Sequence, residues 1–201
     1  TPLYSSAASD VYKRQGLDHE RSVGCKILLE YDPVSNYESV ANCLARESMA
    51  NVEPVIVFTS KTSPLYMHLA EQPAIRFFLT SISASTPQVI SKNEMLLPAK
   101  SPSLVLDALS KVLETYADAK VCIVFDILSE LLTTMEPKKA FIFLRQVLDM
   151  LASERVTVIF LLNTNAYEPQ TVSRIRGLFP NLLTYNKDGT KVVKLLDSQP
   201  A

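Results

Sequence analysis

From about residue 25 to residue 185, short unbroken apolar runs alternate with longer stretches in which apolar residues recur every three or four positions. The runs CKILLEY (25–31), PVIVFTS (54–60), RFFLT (76–80), KVCIVFD (120–126) and VTVIFLLN (156–163) are continuous rather than alternating. That pattern belongs to strands buried on both faces. Between them lie helix signals. Ser35 and Glu38 have capping-box spacing and predict a helix from about Asn36, with Val40, Cys43 and Leu44 facing inward. Ser63-Pro64 opens a short helix that runs through Leu69. After Ser101-Pro102, the residues Val105, Leu109, Val112, Leu113 and Tyr116 mark one face of an amphipathic helix. ILSELL (127–132) reads as a short helix, and Pro137 opens a longer one with a stripe of Phe141, Leu144, Leu148 and Leu151. Pro169 to Arg176 make a further helix, with Gly177 at its C-terminal cap.

The stretch 81–102 is the least regular, and only NEMLLP within it reads as a short strand. NLLTYNKDGTKVVKLL reads as a hairpin turned at Asp188-Gly189. Strand–helix alternation of this kind implies the α/β class: a mainly parallel sheet flanked by helices on both faces, ending in a C-terminal β-hairpin. Neither an internal repeat nor a linker interrupts residues 16–201, which read as one domain. The first fifteen residues, TPLYSSAASDVYKRQ, have no helix or strand period. SSAASDVYKRQ is similar to the translated adapter sequence found in some assembled environmental DNA. Residues 1–15 are therefore expected to be non-native or disordered, and Asp10, Tyr12 and Arg14 are given no role.

Composition narrows the partners. The 201 residues include 20 Lys and Arg against 21 Asp and Glu, for a net charge of −1. The basic residues are spread along the chain, so neither a nucleic-acid footprint nor a polybasic membrane patch is expected. The longest apolar runs fall far short of the ~20 residues that span a bilayer, and the polar N-terminus has no signal-peptide pattern. Cys25, Cys43 and Cys122 are too far apart for a zinc cluster and odd in number for a disulfide framework. They read as small apolar residues in a reducing cytoplasm.

In a sheet of this class, ligands bind outside the carboxyl ends of the strands, and four such ends carry candidate chemistry. The first is the segment from Asp32 through Ser35 and Asn36 to Glu38, in the place of a phosphate loop. A phosphate loop would read G-x-x-x-x-G-K-[ST], its glycines letting backbone N–H groups approach the phosphate. No glycine occurs from Cys25 to Arg176, a stretch of 152 residues in which usage of about 7% would place roughly ten. The second is Asp126, an acid after four apolar residues: it can hold Mg²⁺ beside a phosphate, or cap the following helix, the role expected here. The third is Thr59-Ser60-Lys61, which lacks the carboxylate a general base would need. The fourth is Asn163, expected to bond its own turn. His68 has no Cys or acid at ligand spacing and reads as a surface histidine, His19 borders the first fifteen residues, and no G-x-S-x-G elbow is present.

The strand and acid CIVFDILSEL (122–131), the KILLEY-to-VIVFTS spacing, and the blocks LLPAKSPSLVLDALSKVLETY and FLRQVLDMLASERVTVIFLLN resemble the RecA-like P-loop NTPase superfamily. Within it they are similar to the KaiC-like proteins common in archaea, over roughly Gly24 to Leu196. Active members carry a glycine-rich lysine loop after the first strand and paired acids after the second; this chain has Asp32 to Ser39 and Ser60-Lys61 there. By position the resemblance carries over Asp126, Ser129 and Asn163, and leaves Asp32, Ser35 and Asn36 as vestigial nucleotide-site residues. It implies a non-catalytic, degenerate ATPase-like domain that signals or regulates by binding a protein partner or its own copies, with no cofactor. One alternative is a small-molecule sensory domain with its ligand near Asp32, Ser60, Asn163 and Tyr167. The other is a binder of ATP and magnesium through an atypical loop.

Overall fold

The computed structural model describes residues 19–186 and 189–194. Residues 1–15 and the turn residues Lys187 and Asp188 lie outside them. Nine strands form one sheet in the order β4-β5-β3-β2-β6-β7-β1-β8-β9. They are β1 (Lys26–Tyr31), β2 (Val55–Ser60), β3 (Ile75–Ser81), β4 (Gln88–Ser91), β5 (Glu94–Pro98), β6 (Val121–Phe125), β7 (Val156–Asn163), β8 (Asn181–Asn186) and β9 (Gly189–Lys194). All pairings are parallel except β4 with β5 and the C-terminal hairpin β8 with β9. The helices are α1 (His19–Ser22), α2 (Tyr37–Ala50), α3 (Pro64–Leu69), α4 (Pro102–Thr115), α5 (Leu128–Thr134), α6 (Pro137–Met150) and α7 (Pro169–Arg176).

Side-chain alternation along the strands divides the core in two. Ile27, Leu29, Val55, Val57, Val124 and Ile159 face α2 and α3. Their neighbours Leu28, Ile56, Phe58, Phe125 and Phe160 face α4, α5, α6 and α7. On this second side the rings of Phe78, Phe58, Phe125, Phe160 and Phe179 make a ladder with successive centroids 4.8, 5.4, 5.0 and 5.1 Å apart. Each such pair is worth about 1 kcal/mol beyond its buried area, so the ladder ties four adjacent strands to the segment after α7.

The two glycine-demanding bends are handled differently. Gly24 enters β1 at φ 75°, and a Cβ there would lie 2.4 Å from the Glu154 carbonyl oxygen, so no side chain fits. At the end of α2 the chain makes a Schellman turn: Glu53 N–H donates to the Ser48 carbonyl at 2.9 Å and Val52 N–H to that of Met49 at 3.0 Å. The turn needs a left-handed residue, and Val52 fills it at φ 60°.

Three local expectations need correction. The Ser35–Glu38 capping box does not form; Asn36 is the N-cap and makes no side-chain cap bond, because the Ser35 hydroxyl donates to the Asp32 carbonyl instead. The inward stripe of α6 is Ala140, Phe143, Leu144 and Val147, continuing to Leu151, so Phe141 is only partly buried. Gly177, by contrast, is the C-cap of α7 as expected, at φ −63°. The irregular stretch contains β4, an edge strand with all four residues exposed, which is why no buried pattern announces it.

Candidate functional site

Helices after β1 and β2 cover one face of the sheet, and those after β6 and β7 cover the other. Because β2 lies beside β6, the chain leaves these neighbours in opposite directions and opens a crevice at their carboxyl ends, the usual ligand position. Asp126 stands there, one residue past β6. Its Oδ2 accepts from Thr59 Oγ1 at 2.7 Å and from the Ser63 hydroxyl, which also accepts from Leu65 N–H at the start of α3. Asp126 is therefore not the cap of α5, whose N-cap is Ile127. Strand alternation puts both Thr59 and Asp126 on the α2–α3 side, where they meet.

The rest of the crevice is filled by tyrosines. Tyr31 ends β1, Tyr37 begins α2, and their rings stack with centroids 3.8 Å apart and an interplanar angle of 19°. Tyr37 is 5% exposed. This pair flanks the segment 32–36, which stands where a phosphate loop would. The environment favours uncharged groups throughout. Burial pushes the Tyr31 phenol up to about 12, and the Asp126 charge adds to this. The Tyr37 phenol is pushed up for the same two reasons, in the same order. Asp126 itself rises from 3.8 to about 6: desolvation dominates, the Ser63 and Thr59 hydrogen bonds oppose it, and Glu38 and Glu130 add to the rise. The residue as a whole is only partly buried, but its carboxyl is walled in by the groups just named.

The remaining residues singled out in the sequence are dispersed. Asp32 Oδ1 accepts from Val34 N–H at 3.1 Å, and with Ser35 it closes a local turn. Asn36 is exposed. Asn163 Oδ1 accepts from Asn165 N–H at 3.1 Å, the turn role expected of it. The Ser129 hydroxyl oxygen is buried without a partner, while its carbonyl accepts from the Tyr167 hydroxyl at 2.6 Å. Among the described residues none of these hydrogen-bonds Asp126. Tyr31, Tyr37, Thr59 and Ser63, which do surround it, were not identified as a group from the sequence. The available signal was the pair of tyrosines flanking the loop where glycines are expected.

The crevice's central carboxylate gives Oδ2 to two hydroxyls and is held toward its neutral form by desolvation. Among the described residues no group of three metal-capable side chains occurs, and no helix is long and apolar enough to cross a membrane.

The sheet order, the two helical layers and the switch-point crevice define a RecA-like α/β fold. Similar solved structures place it among KaiC-like architectures. PH0250 from Pyrococcus horikoshii OT3 shares 16% identity over 95% of both chains, with a TM-score of 0.65. The KaiC-like protein PH0186 from the same archaeon shares 16% over 89% of this chain and 83% of its own, with a TM-score of 0.63. The flagellar accessory protein FlaH from Methanocaldococcus jannaschii shares 18% over 94% and 85%, with a TM-score of 0.54. No protein-family model matches the sequence, and no curated protein matches it.

Proposed function

We propose that this chain is a KaiC-like domain that has given up ATP hydrolysis and serves a signalling or regulatory role in the cytoplasm, through a protein partner or its own copies. The stacked Tyr31–Tyr37 pair, flanking a loop without glycine or lysine, carries this reading. Phosphoryl-transfer enzymes work almost entirely by positioning and by electrostatic stabilisation of the phosphates. A helix start without glycine or lysine, flanked by two stacked rings, supplies neither. The neighbours named FlaH and KaiC-like agree with a frame of this kind; what they bind is a property of those proteins.

Phosphate release with magnesium and ATP tests it. The expected rate equals background, and Asp126→Ala leaves it unchanged. Magnesium-dependent turnover that disappears in Asp126→Ala overturns the reading. Light scattering of the purified chain, alone and with candidate partner proteins, tests the binding role. A strictly monomeric chain that forms no complex counts against it.

A further inference from the structure

At the carboxyl ends of β2 and β3, beyond the Asp126 crevice, an open cleft of about 750 Å³ remains. That is within the size range of pockets for small molecules. The cleft wraps the end of the sheet: by alternation Ser60 and Thr80 face the α5 side, whereas Ser81 and Leu96 lie on the α2–α3 side. We propose that this cleft is a binding site for a small polyhydroxylated anion, a polyol skeleton bearing one acidic group, as in sugar phosphates and sugar acids.

The lining argues for that chemistry. Five of its nine lining residues carry hydroxyls, and four of these are paired: Ser60 with Thr62 at 3.1 Å and Ser81 with Ser83 at 2.9 Å. A paired hydroxyl uses one hydrogen and leaves its partner a second, so each pair still offers a donor and several lone pairs. Ligand hydroxyls, which both donate and accept, match this better than a purely accepting or apolar molecule. Glu130 supplies a strong acceptor at the wall. Thr80 donates to its Oε2 at 2.7 Å, which fixes the carboxylate and leaves Oε1 for a ligand hydroxyl.

The acidic group is assigned by Lys61. It is exposed and has no carboxylate within ion-pair distance among the described residues, so its charge is available to an incoming anion. Glu130 argues against a bare anion, because a phosphate alone would feel its repulsion without gaining from the hydroxyls. A ligand with two different ends satisfies both. Ile82, 69% exposed beside the cleft, offers an apolar surface to the carbon face of such a ligand.

Amide NMR titrations with glucose 6-phosphate, ribose 5-phosphate and gluconate test the assignment, with inorganic phosphate and sorbitol as the two separated halves. Saturable shifts confined to residues 60–62 and 80–83 are expected from at least one of the first three, at a Kd of about 1 mM or tighter. Phosphate and sorbitol should bind at least about tenfold more weakly, and comparison of the sugar phosphates with gluconate identifies the acidic group. Lys61→Ala and Glu130→Gln should each weaken the productive ligand about tenfold, with the amide spectrum otherwise retained. Silence across all three ligands overturns the proposal. So does inorganic phosphate binding as tightly as the sugar phosphates, or indifference to both substitutions. The outcome is independent of ATP turnover, so this proposal and the loss of hydrolysis can fail separately.

Discussion

Asp126 is the residue whose chemistry departs furthest from its type. Its folded-state pKa lies near 6, above the 3.8 of a free aspartate. The native state therefore keeps a proton that the unfolded chain gives up between about pH 4 and pH 6. Stability from this group is fully present below the unfolded pKa and is lost as pH rises through the folded one, a contribution of up to roughly 3 kcal/mol. Denaturant melts from pH 4 to pH 8 should show this decline, and Asp126→Asn should flatten it and gain stability at pH 7. A decline that survives in Asp126→Asn belongs to another group. Tyr37 makes the complementary prediction. It is buried against Tyr31, and Tyr37→Ala should cost about 3 kcal/mol in the same melts.

At the scale of elements, the shortage of glycine has a measurable consequence. The end of α2 has the complete Schellman hydrogen-bond pattern, but a β-branched residue at the left-handed position. Left-handed φ costs such a residue about 1–2 kcal/mol, partly offset by the greater entropy glycine would lose on folding. Val52 is 90% exposed and makes little packing contribution. Val52→Gly should raise stability by about 1 kcal/mol, readable as a shift in the calorimetric melting temperature. A fall in melting temperature would mean that Val52 is held by something other than turn geometry. Much of this level was legible in the sequence. Apolar runs and helix punctuation located β1, β2, β3, β6 and β7 within a residue or so, because strands buried on both faces must be apolar throughout. β4 was not legible, since an exposed edge strand carries no burial pattern. The capping box was misread because Ser35 had a nearer acceptor in the Asp32 carbonyl.

For the molecule as a whole, the long-range tie that can be tested most directly joins β1 to α7. Arg176 Nε and Nη2 donate to the two carboxylate oxygens of Glu30 at 2.6 and 2.7 Å, across 146 positions of sequence. Glu30 is 3% exposed and Arg176 about half exposed. Arg176→Ala leaves a buried carboxylate unpaired. The loss should be about 2 kcal/mol, below the 3–5 of a fully buried pair, because water can reach the vacated side. No change in the denaturation midpoint would show that Glu30 is hydrated without its partner. This pair joins the first strand to the last helix, and no local pattern pointed to it.

The succession of strands and helices was already written in the spacing of apolar residues, since period and punctuation are local properties of a chain. The character of the candidate site was not. Asp126, Thr59, Ser63, Tyr31 and Tyr37 meet only because β2 is laid against β6 and β1 lies one strand beyond β7. Strand order and register are long-range choices, and a residue's charge state follows from what they bury beside it. The absent glycines could be counted in one dimension; that the two tyrosines flanking their place stack on each other is a fact of three.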